Sequence, residues 1–279
     1  MHDYLYSVEL SITDLCNMRC VFCPHATTFG NPKNYMSEQT LNVALNHILD
    51  FDRPIKIALN GRGEPTLHNN FESMVKILHE RIKDTPHYMT MGTNGTKIDK
   101  YEHLITYFKR ININIYDEHT KPQIKHLVQK YGKRKGINLV LKRTDVTSNF
   151  KFNNKTADRF NKFYSNRAGS VTHKITQSKH IPDPKFKSAC HKPFGSAYIE
   201  YDGSYGLCCD DWDRKLSLSN IYKMSIKEYM IKNNTFKDIA TDLLMGNRIQ
   251  NPCKNCNRNL RWNDEFNETH FESLQKKYL

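Results

Sequence analysis

The chain has 279 residues, enough for one α/β domain or a larger domain with a small appendage, and we expect the second arrangement. No stretch approaches the roughly 18 apolar residues of a membrane span, and the first residues lack a secretory signal, so we expect a cytoplasmic protein. The net charge of +13 favours anionic partners, and it is concentrated between Lys151 and Lys192, which contains ten Lys or Arg but only two Asp. We interpret this stretch as a solvated face, and a nucleic-acid or phosphate contact is the alternative.

The first half of the chain alternates short apolar runs with helical patterns, which is typical of βα units around a parallel sheet. We predict five strands here, at 5–12, 55–59, 87–91, 111–116 and 137–141. Helices are predicted after Ser37, which can cap the first, and at about 71–82, 99–109 and 124–131. A sixth strand is predicted at 166–171 and a linker at 173–187. The linker divides the chain into an N-terminal unit, 1–172, and a C-terminal unit, 173–279.

Three of the eight cysteines, Cys16, Cys20 and Cys23, lie within eight residues after the first predicted strand. In a reducing compartment, clustered cysteines are typical of metal ligands rather than of disulfides. A cubane iron-sulfur cluster has four irons, so three cysteine ligands leave one iron open to a cofactor or substrate. The alternative is a zinc site that takes a fourth ligand such as His25.

The spacing C-x3-C-x2-C, with the aromatic Phe22 before the last cysteine, resembles the signature of the radical S-adenosylmethionine (SAM) superfamily. The resemblance implies a partial (β/α)6 barrel in which a [4Fe-4S] cluster on the three cysteines binds SAM and cleaves it reductively to a 5′-deoxyadenosyl radical. It also implies that Phe22 lies against the SAM adenine. A reducing partner such as flavodoxin or ferredoxin is implied as well.

A glycine-rich segment after the second predicted strand strengthens this resemblance. Residues 60–65 read Asn-Gly-Arg-Gly-Glu-Pro and resemble the GGEP element of the family, in its GxGEP form with Arg62 between the glycines. Gly61 and Gly63 permit close backbone approach, and Glu64 supplies a carboxylate for an ammonium group. The resemblance implies that this element holds the amino group of SAM.

Residues at the ends of later predicted strands complete the expected SAM site. Thr93 and Asn94 resemble the TNG element that shapes the SAM cavity in the family. The resemblance also implies that Asn114 lies near the ribose hydroxyls and that Arg143 reaches the SAM carboxylate or the substrate. For these last two residues, an ordinary position at a strand end is the alternative.

The remaining cysteines form a second, more widely spaced set. Cys190 precedes a predicted hairpin and Cys208 ends it, which brings two thiols to the same end. Cys253 and Cys256 add a C-x2-C pair that completes four ligands. Cys208 and Cys209 compete for one ligand position, because neighbours on a strand point to opposite faces and only one can face the site. We expect Cys208, which matches the spacing in this superfamily's auxiliary domains, to be the ligand and Cys209 to be a packed thiol. A structural zinc site with the same four ligands is the alternative.

This second set resembles the SPASM and twitch C-terminal domains of radical SAM enzymes, with enough cysteines for one auxiliary [4Fe-4S] cluster, as in the shorter twitch form. The resemblance implies oxidation of a small molecule or a peptide side chain, in which the auxiliary cluster accepts an electron or binds the substrate. RNA modification is a second hypothesis, supported only by the basic stretch. A non-catalytic metal-binding protein is a third, and it predicts no affinity for SAM.

Overall fold

The structure is a computed structural model that describes residues 2–115, 121–131, 138–143, 165–173, 176, 185, 187–258 and 266–279. The strands in these ranges are β1 (Ser7–Leu10), β2 (Lys56–Leu59), β3 (Tyr88–Thr93), β4 (Arg110–Ile115), β5 (Asn138–Arg143), β6 (Ser196–Ile199), β7 (Ser204–Gly206) and β8 (Ser217–Asn220). They form one sheet in the spatial order β5-β4-β3-β2-β1-β6-β7-β8.

The α-helices are α1 (Glu38–Leu49), α2 (Phe71–Ile82), α3 (Lys121–Tyr131), α4 (Lys192–Gly195), α5 (Ile226–Lys232), α6 (Asn234–Met245) and α7 (Glu268–Tyr278). Short 3-10 helices cover His2–Tyr4, Pro24–Ala26, Pro65–Leu67, Ile98–Tyr107, Arg167–Gly169 and Cys253–Asn255. Over the described part of the chain, no helix combines the length and the apolar character needed to cross a bilayer.

The first five strands are parallel and adjacent in chain order, which confirms the predicted partial barrel. Helix α1 begins where predicted, because Ser37 Oγ accepts a hydrogen bond from the Thr40 amide at 3.0 Å. Helix α2 buries the apolar face that its spacing predicts, formed by Phe71, Met74, Val75, Leu78 and Ile82. The predicted third helix is a 3-10 helix with a kink at Tyr101.

The predicted sixth strand at 166–171 is wrong. Arg167 and Ala168 lie in a 3-10 helix and have positive φ values of 49° and 51°, which a strand does not contain. The segment packs instead on the C-terminal unit, where Asn166 Nδ2 donates to the Asn255 carbonyl at 2.7 Å. The place beside β1 is taken by β6, which pairs with it in parallel.

Strand β6 also opens the predicted hairpin with β7. Gly203 takes the positive φ of 82° that the turn requires, and Asp202 Oδ1 accepts from the Ser204 amide at 3.0 Å. Strand β8 then pairs antiparallel with β7 and adds a third strand that the sequence did not predict. One sheet therefore spans both units, and the division after residue 172 stays a prediction.

A buried ion pair joins the two units at the carboxyl ends of β2 and β6. Arg62 donates to Glu200 Oε1 from Nε at 2.8 Å and also from Nη2. The same guanidinium donates to the backbone carbonyls of Asp211, at 2.9 Å, and of Trp212. The Arg62 and Glu200 side chains are only 3% and 1% exposed, so water does not screen their interaction.

We predict that Glu200→Leu lowers the free energy of unfolding by about 3 kcal/mol, because it leaves the Arg62 guanidinium buried without its counter-charge. The double variant Arg62→Met/Glu200→Leu removes both charges and should be more stable than the single variant. Chemical denaturation measures both, and Glu72→Gln, which breaks an exposed pair with Lys76, is the control. A Glu200→Leu variant as stable as this control would contradict the interpretation.

Candidate active site

The residues predicted to bind SAM all lie toward the carboxyl ends of the parallel strands. The loop with Cys16, Cys20 and Cys23, the first cysteine set, follows β1, and Glu64 follows β2. Asn94 comes directly after β3. Since the carboxyl ends of parallel strands meet at one edge, the fold brings these loops together where α/β proteins place their ligand sites.

In the first cysteine set, Cys20 is buried and Cys16 and Cys23 are partly buried. The Cys23 amide donates to the Cys20 carbonyl at 2.9 Å, which closes a tight turn. The pKa of the Cys16 thiol is raised to about 11, mainly by burial, with smaller contributions from the nearby Glu64 and Cys23. Burial also raises the pKa of Cys23. Thiolates are therefore disfavoured here unless a metal centre compensates their charge, which is the chemistry of an iron-sulfur ligand set.

Close contacts within the protein require glycine at both glycine positions of the GRGEP segment. Gly61 has a φ of 143°, and a Cβ there would lie 2.4 Å from Ser11 Oγ. A Cβ on Gly63 would lie 2.5 Å from the carbonyl oxygens of both Thr13 and Leu15. The glycines thus let this segment pack against the residues that lead into the first cysteine set.

Glu64 is buried and accepts hydrogen bonds from Thr66 and from the predicted TNG element. Its Oε1 accepts from Thr66 Oγ1 at 2.7 Å and from Thr93 Oγ1 at 2.6 Å, and its Oε2 accepts from the Asn94 amide at 2.6 Å. Burial raises the pKa of Glu64, and these hydrogen bonds oppose the rise. The structure therefore brings Glu64, Thr93 and Asn94 together, while contact of Glu64 with SAM stays a prediction.

Asn17, which the sequence reasoning missed, links the first cysteine set to the end of β3. Its Oδ1 accepts from Asn94 Nδ2 at 2.9 Å, and its Nδ2 donates to Thr96 Oγ1 at 2.9 Å. Asn114 lies beside the same segment, and its Nδ2 is 3.5 Å from the Thr93 carbonyl. Asn114 is thus placed near the TNG element, as its predicted role requires.

The other predicted residues of the first site are placed as follows. Phe22 is buried, and its contact with the SAM adenine stays a prediction. Arg143 ends β5 in register with Ile115, and its side chain lies outside the described residues. The two ring nitrogens of His25 lie 2.8 Å from the Gly30 carbonyl and 2.9 Å from the Arg62 carbonyl. Protein groups therefore occupy both positions that a zinc ion would use on His25.

The second cysteine set lines a single cavity in the C-terminal unit. The four predicted ligands around it are Cys190, Cys208, Cys253 and Cys256. The pKa of Cys253 is raised to about 12 and that of Cys256 to about 11, mainly by burial, and the proximity of Cys190 contributes to both. Here too a metal centre is needed to stabilise the thiolates.

Cys209 does not line this cavity, which supports the choice of Cys208 as the ligand. The charged groups near the Cys209 thiol include Glu9 of β1 and Lys192. The two adjacent cysteines therefore have different surroundings, with Cys208 at the cavity and Cys209 directed toward β1.

The four predicted ligands of the second cysteine set lie around one cavity. In the ranges that the structure describes, which contain all eight cysteines, no group of three or more His, Cys, Asp or Glu side chains is placed to hold one metal ion. Each cysteine of a cubane cluster binds a different iron, so its ligands need not meet at one point. Four cysteine side chains around one cavity are the ligand set that a [4Fe-4S] cluster uses.

A buried acid and two arginines lie between the cysteine sets, and the sequence reasoning did not find them. Asp210 is 2% exposed and accepts from Arg167 Nη1 at 3.1 Å and from Arg258 Nη2 at 3.1 Å. Burial acts to raise the pKa of Asp210, but the two guanidinium groups outweigh it and hold the pKa well below its usual range. Arg167 also lies within electrostatic reach of Cys23 and Cys209.

The basic stretch from Lys151 to Lys192 was the only sequence signal for this region. Its residues 151–164, 174–175, 177–184 and 186 lie outside the described part of the chain. The two cations from it that are described near the cysteines, Arg167 and Lys192, face Asp210 and Glu9. Each side chain is 28% exposed and lies beside a carboxylate, so neither is an unpaired cation on an open basic face.

Residues 10–143 match the family model of the radical SAM superfamily, and residues 190–257 match the SPASM iron-sulfur cluster-binding domain. The chain is therefore a radical SAM enzyme that carries a C-terminal SPASM domain. These two domains imply two iron-sulfur clusters and SAM as cofactors.

Among its relatives, the S-adenosyl-L-methionine-dependent 2-deoxy-scyllo-inosamine dehydrogenase of Niallia circulans is 23% identical over 258 residues, which are 91% of this chain and 94% of the dehydrogenase. A probable GTP 3′,8-cyclase of Methanocaldococcus jannaschii is 27% identical over 143 residues, which are 50% of this chain and 46% of the cyclase. The match therefore spans less than half of that cyclase.

Two solved structures share the fold over most of the chain. The crystal structure of BtrN in complex with AdoMet and 2-DOIA has a TM-score of 0.71 at 20% identity and covers 91% of this chain and 93% of BtrN. The structure of anSMEcpe with bound AdoMet has a TM-score of 0.56 at 18% identity and covers 90% of this chain and 82% of anSMEcpe. At these identities the likeness concerns the fold alone.

We predict that Glu64→Gln weakens SAM binding by roughly 1.5 to 3 kcal/mol, the scale of a hydrogen bond to a charged group, because the amide has no charge for the SAM ammonium. Calorimetry on the anaerobically reconstituted protein measures the affinity, with the exposed Glu72→Gln on α2 as the control. Iron content should be unchanged in both variants. Equal SAM affinities for Glu64→Gln and the control would remove Glu64 from the SAM site.

Proposed function

We propose that this chain oxidises a small molecule or a peptide side chain by radical SAM chemistry, with one auxiliary [4Fe-4S] cluster as the electron acceptor. The chemistry that the cofactors supply when bound is reductive cleavage of SAM to methionine and a 5′-deoxyadenosyl radical, abstraction of a substrate hydrogen atom, and acceptance of the remaining electron by the auxiliary cluster as a proton leaves. A flavodoxin or ferredoxin would supply the first electron.

The observation that carries this proposal is the position of Arg167. Its guanidinium lies within electrostatic reach of Cys23, in the first cysteine set, and of Cys209, beside the second. It also donates to Asp210, two residues after Cys208. A guanidinium that acts on a cysteine of each set supports the proposal that a substrate near Arg167 would be close to both the radical source and the electron acceptor.

The chain's own residues have separate roles in this proposal. Cys16, Cys20 and Cys23 would hold the cluster that binds SAM, and the second cysteine set would hold the auxiliary cluster. Glu64 is fixed by hydrogen bonds from Thr66, Thr93 and Asn94, so its carboxylate is oriented before a ligand arrives. Such a fixed carboxylate near Cys16 suits the ammonium group of SAM.

The relatives support the oxidation of a small molecule. The dehydrogenase from Niallia circulans aligns along almost the whole chain, whereas the cyclase of M. jannaschii aligns along half of it. A peptide side chain remains within the proposal, since a structure of anSMEcpe contains a peptide. The intact GRGEP and TNG elements argue against a metal-binding protein without catalytic activity. RNA modification has no support from the described residues.

We predict that the anaerobically reconstituted protein binds about eight irons and eight sulfides, as two cubane clusters require. The Cys16→Ala/Cys20→Ala/Cys23→Ala variant should keep about half of each, and so should Cys208→Ala if loss of one ligand releases the auxiliary cluster. Cys209→Ala is the matched control and should keep both clusters. Metal analysis that finds zinc in place of the second cluster's iron would refute this assignment.

We also predict that the reduced protein forms 5′-deoxyadenosine from SAM. The measurement is chromatography of an anaerobic reaction with dithionite and SAM. The triple alanine variant of the first cysteine set should form none, because the cluster that cleaves SAM is then absent. Cys208→Ala should still form 5′-deoxyadenosine. Equal product from the wild type and the triple variant would show that another group cleaves SAM and would overturn the proposed function.

A further inference from the structure

Arg248, just beyond the end of α6, binds the two loops that carry the second cysteine set. It is half-buried and lines the same cavity as the four cysteines. Its guanidinium donates to four backbone carbonyls, those of Ser188 at 2.6 Å, Ala189 at 3.4 Å, Cys256 at 3.0 Å and Arg258 at 2.8 Å. The first two carbonyls directly precede Cys190, and the other two belong to the loop after Cys253.

Arg248 differs from the other cations of this cavity in its partners. Arg258 is paired with Asp210, and Lys192 lies 3.6 Å from Glu9. Within the described ranges, by contrast, no carboxylate lies within ion-pair distance of Arg248. Carbonyl groups satisfy its N–H donors but carry no net charge. A full positive charge is therefore held beside the cavity without an acidic partner.

Such a charge has a direct effect on an iron-sulfur cluster. Reduction adds one negative charge to the cluster, and a nearby cation in a poorly solvated site stabilises the reduced form more than the oxidised form. Net charge and hydrogen bonds around a cluster are among the factors that set its reduction potential. A fixed guanidinium at this position therefore makes the cluster a better electron acceptor.

We propose that Arg248 raises the reduction potential of the auxiliary cluster, so that this cluster accepts the electron released when the substrate is oxidised. The inference rests on the proposed function, because it requires that the second cysteine set holds an iron-sulfur cluster. Arg248 acts through the cluster and has no contact with the substrate in this account. Its hydrogen bonds hold the charge in place and join the Cys190 loop to the Cys256 loop.

The experiment isolates the auxiliary cluster by using the triple alanine variant of the first cysteine set as the parent protein. Arg248→Gln removes the charge but retains an amide donor, and Arg248→Lys retains the charge. Lys254→Gln is the matched control, because Lys254 lies in the same cysteine loop and is exposed to water, which screens its charge. Each protein is reconstituted anaerobically and titrated with a mediated reductant while EPR follows the reduced cluster.

We expect Arg248→Gln to lower the midpoint potential by about 59 mV, a tenfold change in the equilibrium constant of a one-electron couple. Arg248→Lys and Lys254→Gln should lie close to the parent. A purely structural role would change cluster content in Arg248→Gln without shifting the midpoint of the cluster that remains. An unchanged or higher midpoint in that variant therefore overturns the inference.

If Arg248→Gln fails to bind the auxiliary cluster, a further variant, Arg248→His, tests the same inference. Arg248→His carries a charge only at low pH, so its midpoint relative to Arg248→Lys should fall as the pH rises through the ordinary range of histidine. A difference independent of pH overturns the inference. If the parent itself binds zinc, the cluster assignment fails and the inference fails with it. If the parent holds an iron-sulfur cluster but its midpoint potential does not change in the Arg248 variants, only the role of Arg248 is refuted.

Discussion

The ion pair between Arg62 and Glu200 is the constraint on which the arrangement of both cysteine sets depends. A guanidinium with 3% exposure is costly to bury unless its donors are satisfied, and here the acceptors are Glu200 and two backbone carbonyls of the C-terminal unit. Those carbonyls belong to Asp211 and Trp212, close in sequence to Cys208. Any displacement of one unit against the other would leave a buried charge without partners.

The same arginine lies within the segment that resembles the GGEP element. Its neighbours Gly61 and Gly63 pack against the backbone that leads into the first cysteine set. The rings of Phe29 and Trp212 lie 5.7 Å from the guanidinium carbon and add cation–π contacts from both units. Arg62 therefore holds the GRGEP segment, which contains Glu64, against Asp211 and Trp212, which follow Cys208.

Much of the architecture could be predicted from the sequence because its signals are local. The apolar spacing of α2, the cap at Ser37 and the motifs after β1, β2 and β3 depend on residues close together in the chain. The sixth strand was predicted wrongly because nothing in the composition of 166–171 shows that Arg167 and Ala168 take left-handed conformations. The preceding residue, Asn166, is held by hydrogen bonds to Asn255 and Asn257, which are 89 and 91 positions away in the sequence.

The contacts that join the sites could not be predicted, since their partners are far apart in sequence. Arg62 stood out as a departure from paired glycines, but Glu200 lies 138 positions away and no local pattern connects the two. The contacts of Arg248 could not be predicted either, because its partners are backbone carbonyls, which residues of every type carry. The choice of Cys208 over Cys209, by contrast, followed from the spacing of the family. Strand alternation does not decide it, since β7 ends at Gly206 and both cysteines follow it. The cavity lining includes Cys208.

The central claim is that the two cysteine sets hold clusters that flank one region of the enzyme. The most direct measurement is the electron spin relaxation of the reduced SAM-binding cluster, with the auxiliary cluster present and in the Cys208→Ala variant that lacks it. The account predicts faster relaxation when both reduced clusters are present, because two nearby paramagnets interact. Identical relaxation in the two proteins would place the clusters far apart and contradict the claim.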